Sequence, residues 1–367
     1  MTQEEYRASA EDVIYLVSCM VNGEKPDAAR VAGMDLSLLY KVAGFHMLTG
    51  IVGYALEAPG VRDPAFVQAK SKAIRKIVLF DTERAAVLAE LEKAGIWHMP
   101  MKGCVLKEYY PKIGMRQMSD NDILFDEARA NEVRSIMEGL GYSTEYFGTG
   151  VHDSYFKQPV CNFEMHRALF GLDHEDRLRS YYENVRKRLV RDEGTGFRYH
   201  FSPEDFYVYM IAHEYKHYSG GGTGLRSLLD TYVYLRKVPL DMKYVAGEIE
   251  KLGIRDFEAA NRSLAMHLFG REPLTEEEVD MLDYVLFSGT YGTMANNIRN
   301  QIRKKGRWGY FVSRMTLPFD RMTQLYPILT KIPILYPFCW AHRLIHAFFF
   351  KHKSFMYQLK AVVTWKE

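Results

Sequence analysis

"MPMKGCVLKEYYPKIGMRQMSDNDILF", residues 99–125, is the stretch on which the fold turns. Its ends fall within "IWHMPMKG" and "NDILF", short apolar runs of strand length. Between them "CVLKEYYP" predicts a short helix halted at Pro111. Two aspartates, Asp120 and Asp122, stand at the mouth of the second run. Beyond it, "DEARANEVRSIMEGLGY" puts Val133, Ile136, Met137 and Leu140 on one helical face. From Tyr142 to Phe170, "YSTEYF", "SYFKQ" and "CNFEMH" have strand character. Strand, helix, strand, helix, strands is the order of a small α/β unit with a mixed sheet.

Helical periodicity flanks that unit. "TQEEYRASAEDVIYLVSCMVNG" predicts a helix ending at Gly23, and "DPAFVQAKSKAIRKIVLFDTERAAVLAELEKAG" a long one with a break near Asp81. After about residue 195 the helical period returns with "SPEDFYVYMIAHEYKHYSGGG", where Ser202 has the position of an N-cap. "LRSLLDTYVYLRKVP" and further helices follow. The expected fold class is α+β. It divides into a helical region 1–74, a mixed-sheet core 75–195, and a helical domain 196–367 with a basic, aromatic tail.

The 367 residues, 47% hydrophobic and 26% charged, are those of a folded rather than a disordered chain. Cys19, Cys104, Cys161 and Cys339 lie far apart in sequence, which suits reduced thiols. No basic-then-apolar leader pattern opens the sequence. "IPILYPFCWAHRLIHAFFF" is interrupted by His342, Arg343 and His346 and falls short of the roughly 18–20 apolar residues of a spanning helix. A cytoplasmic protein without integral membrane association is expected. From Tyr291 onward 13 Lys or Arg face two acids, a net of +11, so the preceding 290 residues carry −9. Such a tail suits contact with nucleic acid, anionic lipid or phosphates, or forms a solvated basic face.

The acidic pair carries the chemistry. Alternate residues of a strand share a face, so Asp120 and Asp122 point one way while Ile123 and Phe125 point into a core. Two carboxylates this close repel unless a cation lies between them, and hard oxygen ligands favour Mg²⁺ or Mn²⁺. Gly103 sits where a strand turns into a helix, a place where backbone N–H groups can approach phosphate, and Lys102 adds a positive charge. In "CNFEMH" Cys161, Phe163 and Met165 form one face, with Asn162, Glu164 and His166 on the other. A glutamate there is an odd core residue unless its face overlooks a metal site.

Lys-Gly, "RQMSDND" and a later acidic residue two before a histidine together resemble the nucleotidyltransferases of the DNA polymerase beta superfamily, and most closely a bacterial group within it. The resemblance covers roughly residues 75–235. It implies transfer of a nucleoside monophosphate from an NTP, ATP being the expected donor, to a hydroxyl of an unidentified acceptor, a small molecule above a protein or RNA. In that scheme Asp120 and Asp122 bridge two Mg²⁺ or Mn²⁺ ions, Glu164 holds the ion at the acceptor, and Lys102, Gly103, Arg116 and Ser119 lie near the phosphates. The chain departs from the superfamily in having Lys102-Gly103 where Gly-Ser is usual, and Glu164 where Asp is commoner. A non-catalytic nucleotide-binding module is therefore an alternative.

A rival motif lies in "HEYKHYSGGGT". His213, Glu214 and His217 spell the H-E-x-x-H of zinc peptidases, with both histidines on one helical face. Position 223 is Thr where a third ligand would follow, leaving Asp230 as a substitute for a zinc hydrolase. In the resembling group this helix carries a histidine pair and precedes a Leu-Arg and an Asp. That implies a pocket role for His213, His217, Arg226 and Asp230 beside His166.

Overall fold

The structure, a computed structural model, describes residues 2–172, 174–290 and 292–350. It is mixed α+β, with a five-stranded sheet in the middle of the sequence and helices before and after it. The chain divides into two compact units, one of Met1–Tyr215 with Thr223–Thr290, the other of Lys216–Gly222 with Tyr291–Glu367.

In the first unit the sheet comprises β1 (His98–Pro100), β2 (Asn121–Phe125), β3 (Ser143–Tyr146), β4 (His152–Lys157) and β5 (Cys161–His166). Their order is β1-β2-β5-β4-β3. Only β2 and β5 pair in parallel; the remaining pairs are antiparallel. The parallel register sets Asp122 opposite Glu164 and Leu124 opposite His166. The antiparallel β4 then places Ser154 beside Glu164 and His152 beside His166.

Strand periodicity gives the sheet two different faces. Ile123, Phe125, Cys161, Phe163 and Met165 pack against Ile77, Phe80, Val87 and Leu91 of the helix Pro64–Lys93, and against Val133 and Met137 of the helix Ala130–Gly139. Leu124 and Met99, on the other face, pack with Tyr207, Tyr209 and Ile211 of the helix Pro203–Gly220. The acidic and histidine side chains lie on this second face.

The helix Pro64–Lys93 runs unbroken through Asp81. There the carboxylate accepts from Arg84 at 2.6 Å and from Lys107 at 3.0 Å, so it does not compete for its own backbone. Ser202 caps as expected, its Oγ accepting from the Asp205 N–H at 3.1 Å. A two-stranded ribbon, β6 (Leu189–Arg191) with β7 (Tyr199–Phe201), lies in a stretch that the sequence pattern leaves unassigned.

The second unit includes the helices Met294–Met315, Phe319–Leu325 and Tyr336–Phe350, with Ile298, Ile302 and Tyr310 forming a small core. The end of the basic tail, 351–367, lies outside the described residues. Among those described, no helix is long and apolar enough to cross a membrane.

Candidate active site

Lys102 leads the chain out of β1 with φ 49° and ψ −119°, a left-handed conformation that a side chain with a Cβ rarely adopts. A side chain at the next residue would displace the Arg116 guanidinium. A Cβ on Gly103 would stand 2.5 Å from Arg116 Nη1. The helix begun there, Gly103–Leu106, spans four residues, too short for a large dipole at its N-terminus. The Lys-Gly pair therefore directs the lysine inward and lets a guanidinium pass over the backbone.

That inward turn brings Lys102 Nζ within 2.6 Å of Asp122 Oδ1, to which it donates. His166 Nε2 lies 2.8 Å from the same oxygen, and 3.5 Å from both Lys102 Nζ and Glu164 Oε2. His152 Nε2 is 3.7 Å from Glu164 Oε1. Asp120 directly precedes β2 and lies on the side of Asp122 by strand alternation. Side chains from β2, β4, β5 and the β1 turn thus meet on one face of the sheet.

The charges do not cancel evenly. Burial alone would raise the Asp122 carboxyl, but Lys102 and the hydrogen bond from His166 outweigh it and hold Asp122 below the usual carboxylate range. Burial would likewise lower Lys102, yet Asp122 overrides this and raises it. Glu164 is lowered, since His166, Lys102 and His152 together exceed the effects of burial and Asp122. Asp120 goes the other way. Burial, and then the negative charges of Asp122 and Glu164, push it up to about 7 against the partial relief of Lys102 and Arg226. Unneutralised negative charge at Asp120, beside Asp122 and Glu164, is the condition a divalent cation relieves, but the set with ligand spacing among the described residues pairs Glu164 with His152 and His166 rather than with the two aspartates.

Arg116 is buried and grips Asp230 with two bonds of 2.9 Å, through Nε and Nη2, while the Tyr110 hydroxyl donates to Asp230 at 2.7 Å. This pair clamps the β1–β2 connection to the helix Leu225–Lys237. The Ser119 hydroxyl faces Met47 Sδ at 3.6 Å, and its carbonyl accepts from Lys76 Nζ at 3.0 Å. Arg226 donates to the Gln117 carbonyl at 3.4 Å and lowers the Asp120 carboxyl by its charge. The His213 ring lies 6.0 Å from that of Tyr209, whose hydroxyl feels the charges of Lys102, Asp122 and Glu164. His217 belongs to the second unit, where it lines a cavity with Lys216 and Arg314.

The H-E-x-x-H helix does not assemble a metal centre among the described residues; the three-residue cluster with ligand spacing is His152, Glu164 and His166. Glu214 is buried, and burial raises its carboxyl to about 8. Its Oε2 accepts from Asn261 at 3.1 Å and Thr231 at 3.4 Å, inside the helical packing rather than at a water-filled cleft. Thr223 is buried against Ser227.

Two residues escaped the sequence reading. His152 opens β4, two residues before the run "SYFKQ" that signalled a strand. Its register with His166 follows only from the β4–β5 pairing. Lys76, influenced by Asp120 and bonded to the Ser119 carbonyl, is one of several cations in "KSKAIRK", and nothing in that run distinguishes it.

A family model described as uncharacterised nucleotidyltransferase matches residues 32–270, a span that holds all of these site residues and most of the chain. No curated protein and no solved structure matches. The chain belongs to the uncharacterised nucleotidyltransferase family.

Proposed function

We propose that the protein moves a nucleoside monophosphate from an NTP, ATP being the first donor to test, to a hydroxyl on a small-molecule acceptor. The acceptor oxygen bonds to the α-phosphorus, the bond from that phosphorus to the bridging oxygen breaks, and pyrophosphate leaves. The observation that carries this reading is the parallel β2–β5 register, which faces Asp122 with Glu164 while Asp120 enters two residues earlier.

In this reading Asp120 and Asp122 hold Mg²⁺ or Mn²⁺ with Glu164. Such ions, when bound, supply charge neutralisation and lower the pKa of the acceptor hydroxyl. Lys102 favours the ionised form of Asp122 and fixes its orientation. Arg226, whose charge lowers Asp120, and Lys76, which the charge of Asp120 raises, offer positive charge on the approach where the polyphosphate would lie. Arg116 acts from behind, holding the Lys-Gly turn through Asp230 rather than meeting phosphate directly. The Glu164 side chain is 25% accessible against 4% for Asp122, so the acceptor's proton leaves toward solvent on the Glu164 side.

The test incubates the protein with each α-labelled NTP, Mg²⁺ or Mn²⁺ and a fractionated small-molecule extract, then follows label and pyrophosphate. Transfer should occur with the native chain and fall by a factor of at least 10² in Asp122→Asn. Label transfer that survives in Asp120→Asn and Asp122→Asn would remove the assignment.

A further inference from the structure

We infer that His152, Glu164 and His166 form a mixed nitrogen–oxygen metal position that takes a first-row transition-metal dication, such as Mn²⁺ or Zn²⁺, in preference to Mg²⁺. As a cofactor assignment this rests on the transfer reading above; as a binding site it stands on its own geometry. One donor atom from each of the three residues lies within 4.8 Å of the others. His166 Nε2 to Glu164 Oε2 is 3.5 Å, and His152 Nε2 to Glu164 Oε1 is 3.7 Å. A metal with arms of about 2.0–2.1 Å in a tetrahedral shell has donor–donor edges of about 3.3–3.4 Å. The two distances run to different oxygens of Glu164, so its carboxylate meets each imidazole at close to the edge length of a ligand shell.

Two features of the surroundings favour an ion here. The two imidazoles come from neighbouring strands in direct register, with ring centroids 5.1 Å apart, so the sheet itself fixes their separation. Glu164 is the carboxylate that meets both histidines, so its charge is available to a cation held beside them. Binding there requires His166 Nε2 to exchange its 2.8 Å contact with Asp122 Oδ1 for the metal.

The choice of metal follows from the donors. Mg²⁺ requires near-octahedral oxygen coordination and gives up water reluctantly, whereas imidazole nitrogen suits Zn²⁺ and the other late first-row dications, with Mn²⁺ the weakest binder of that series. Two nitrogens in three protein ligands select against Mg²⁺. A pure carboxylate set would not.

The full chain, stripped of metal, is titrated with Mn²⁺, Zn²⁺ and Mg²⁺ alone, with no nucleotide present. One Mn²⁺ or Zn²⁺ should bind per chain at least tenfold more tightly than Mg²⁺. Bound Mn²⁺ should show nitrogen coupling in electron spin-echo spectra. His152→Ala, at a partly exposed position where the fold should tolerate the change, should weaken binding at least tenfold and reduce that coupling. His166→Gln, whose fold is checked by near-UV circular dichroism, should do the same. Mg²⁺ binding as tight as Mn²⁺ binding, absence of nitrogen coupling, or unchanged binding in His152→Ala would overturn the site. Asp120→Asn separates the two readings: it should abolish label transfer while leaving the nitrogen coupling in place.

Discussion

Asp120 holds the sharpest tension in the molecule between stability and use. Its carboxyl is raised to about 7 by burial and by Asp122 and Glu164, so ionising it at neutral pH costs folding free energy. Replacing it with Asn removes that cost. Asp120→Asn should therefore stabilise the metal-free chain, by something on the order of 1 kcal/mol or more, while removing transfer activity. Denaturant titration near pH 7.5 reads the first effect and label transfer the second; a destabilised variant would mean that the carboxylate is held by its neighbours rather than opposed by them. Asp230 presents the reverse case. It is the buried counter-charge of Arg116, and removing one member of a buried pair strands the other. Asp230→Asn should cost about 3–5 kcal/mol. Because Arg116 lies directly over Gly103, the same variant should also loosen the turn that aims Lys102. A loss under 1 kcal/mol in equilibrium unfolding would show that the pair is not the clamp described.

At the scale of elements, the strands were legible where one face was uniformly apolar. "CNFEMH" set Cys161, Phe163 and Met165 against Asn162, Glu164 and His166, and the core contains the first three. Pairing was not legible. Nothing in "VHDSYFK" says that His152 faces His166, because strand register depends on contacts between distant segments. The H-E-x-x-H spelling misled for a related reason: helix spacing fixes which residues share a face, not whether that face meets water. Glu214 lies in packing, and its raised carboxyl has a measurable consequence. Its folded value is about 8 against an ordinary 4.5, so between those values the folded chain keeps a proton that the unfolded chain releases. Stability from this group is thus lost as pH rises through the window. His46 has the opposite slope. It is buried between the Tyr6 hydroxyl and the Leu225 N–H, and burial lowers it to about 3, so stability is lost as pH falls below about 6.5. Glu214→Gln should keep the hydrogen bond from Asn261 and flatten the loss above pH 5. Urea midpoints of native and variant chains should diverge steadily toward pH 8; parallel midpoints would place the titrating group elsewhere.

At the scale of the whole molecule, the candidate site and all of the family match but Lys216–Gly222 fall in one unit, while the basic C-terminal stretch belongs to the other. The two have very different means of holding together. The first encloses the sheet between large apolar clusters on both faces. The second shows a small buried cluster of Ile298, Ile302 and Tyr310 among its described residues, and leaves Trp308 and Phe338 mostly exposed. Small cores give little margin over chain entropy. Calorimetry of the full chain should therefore show two transitions, the lower one belonging to the second unit. A ligand stabilises only what binds it, by about 2.7 kcal/mol when its free concentration is a hundred times its Kd. Mn²⁺ with a non-hydrolysable NTP should accordingly raise the upper transition by several degrees and leave the lower one in place. Asp122→Asn should remove that shift, since the aspartate belongs to the candidate centre in the first unit. A single transition moving as a whole would mean that the two units unfold together. A ligand-induced shift confined to the lower transition would transfer nucleotide binding to the C-terminal helices and away from the sheet.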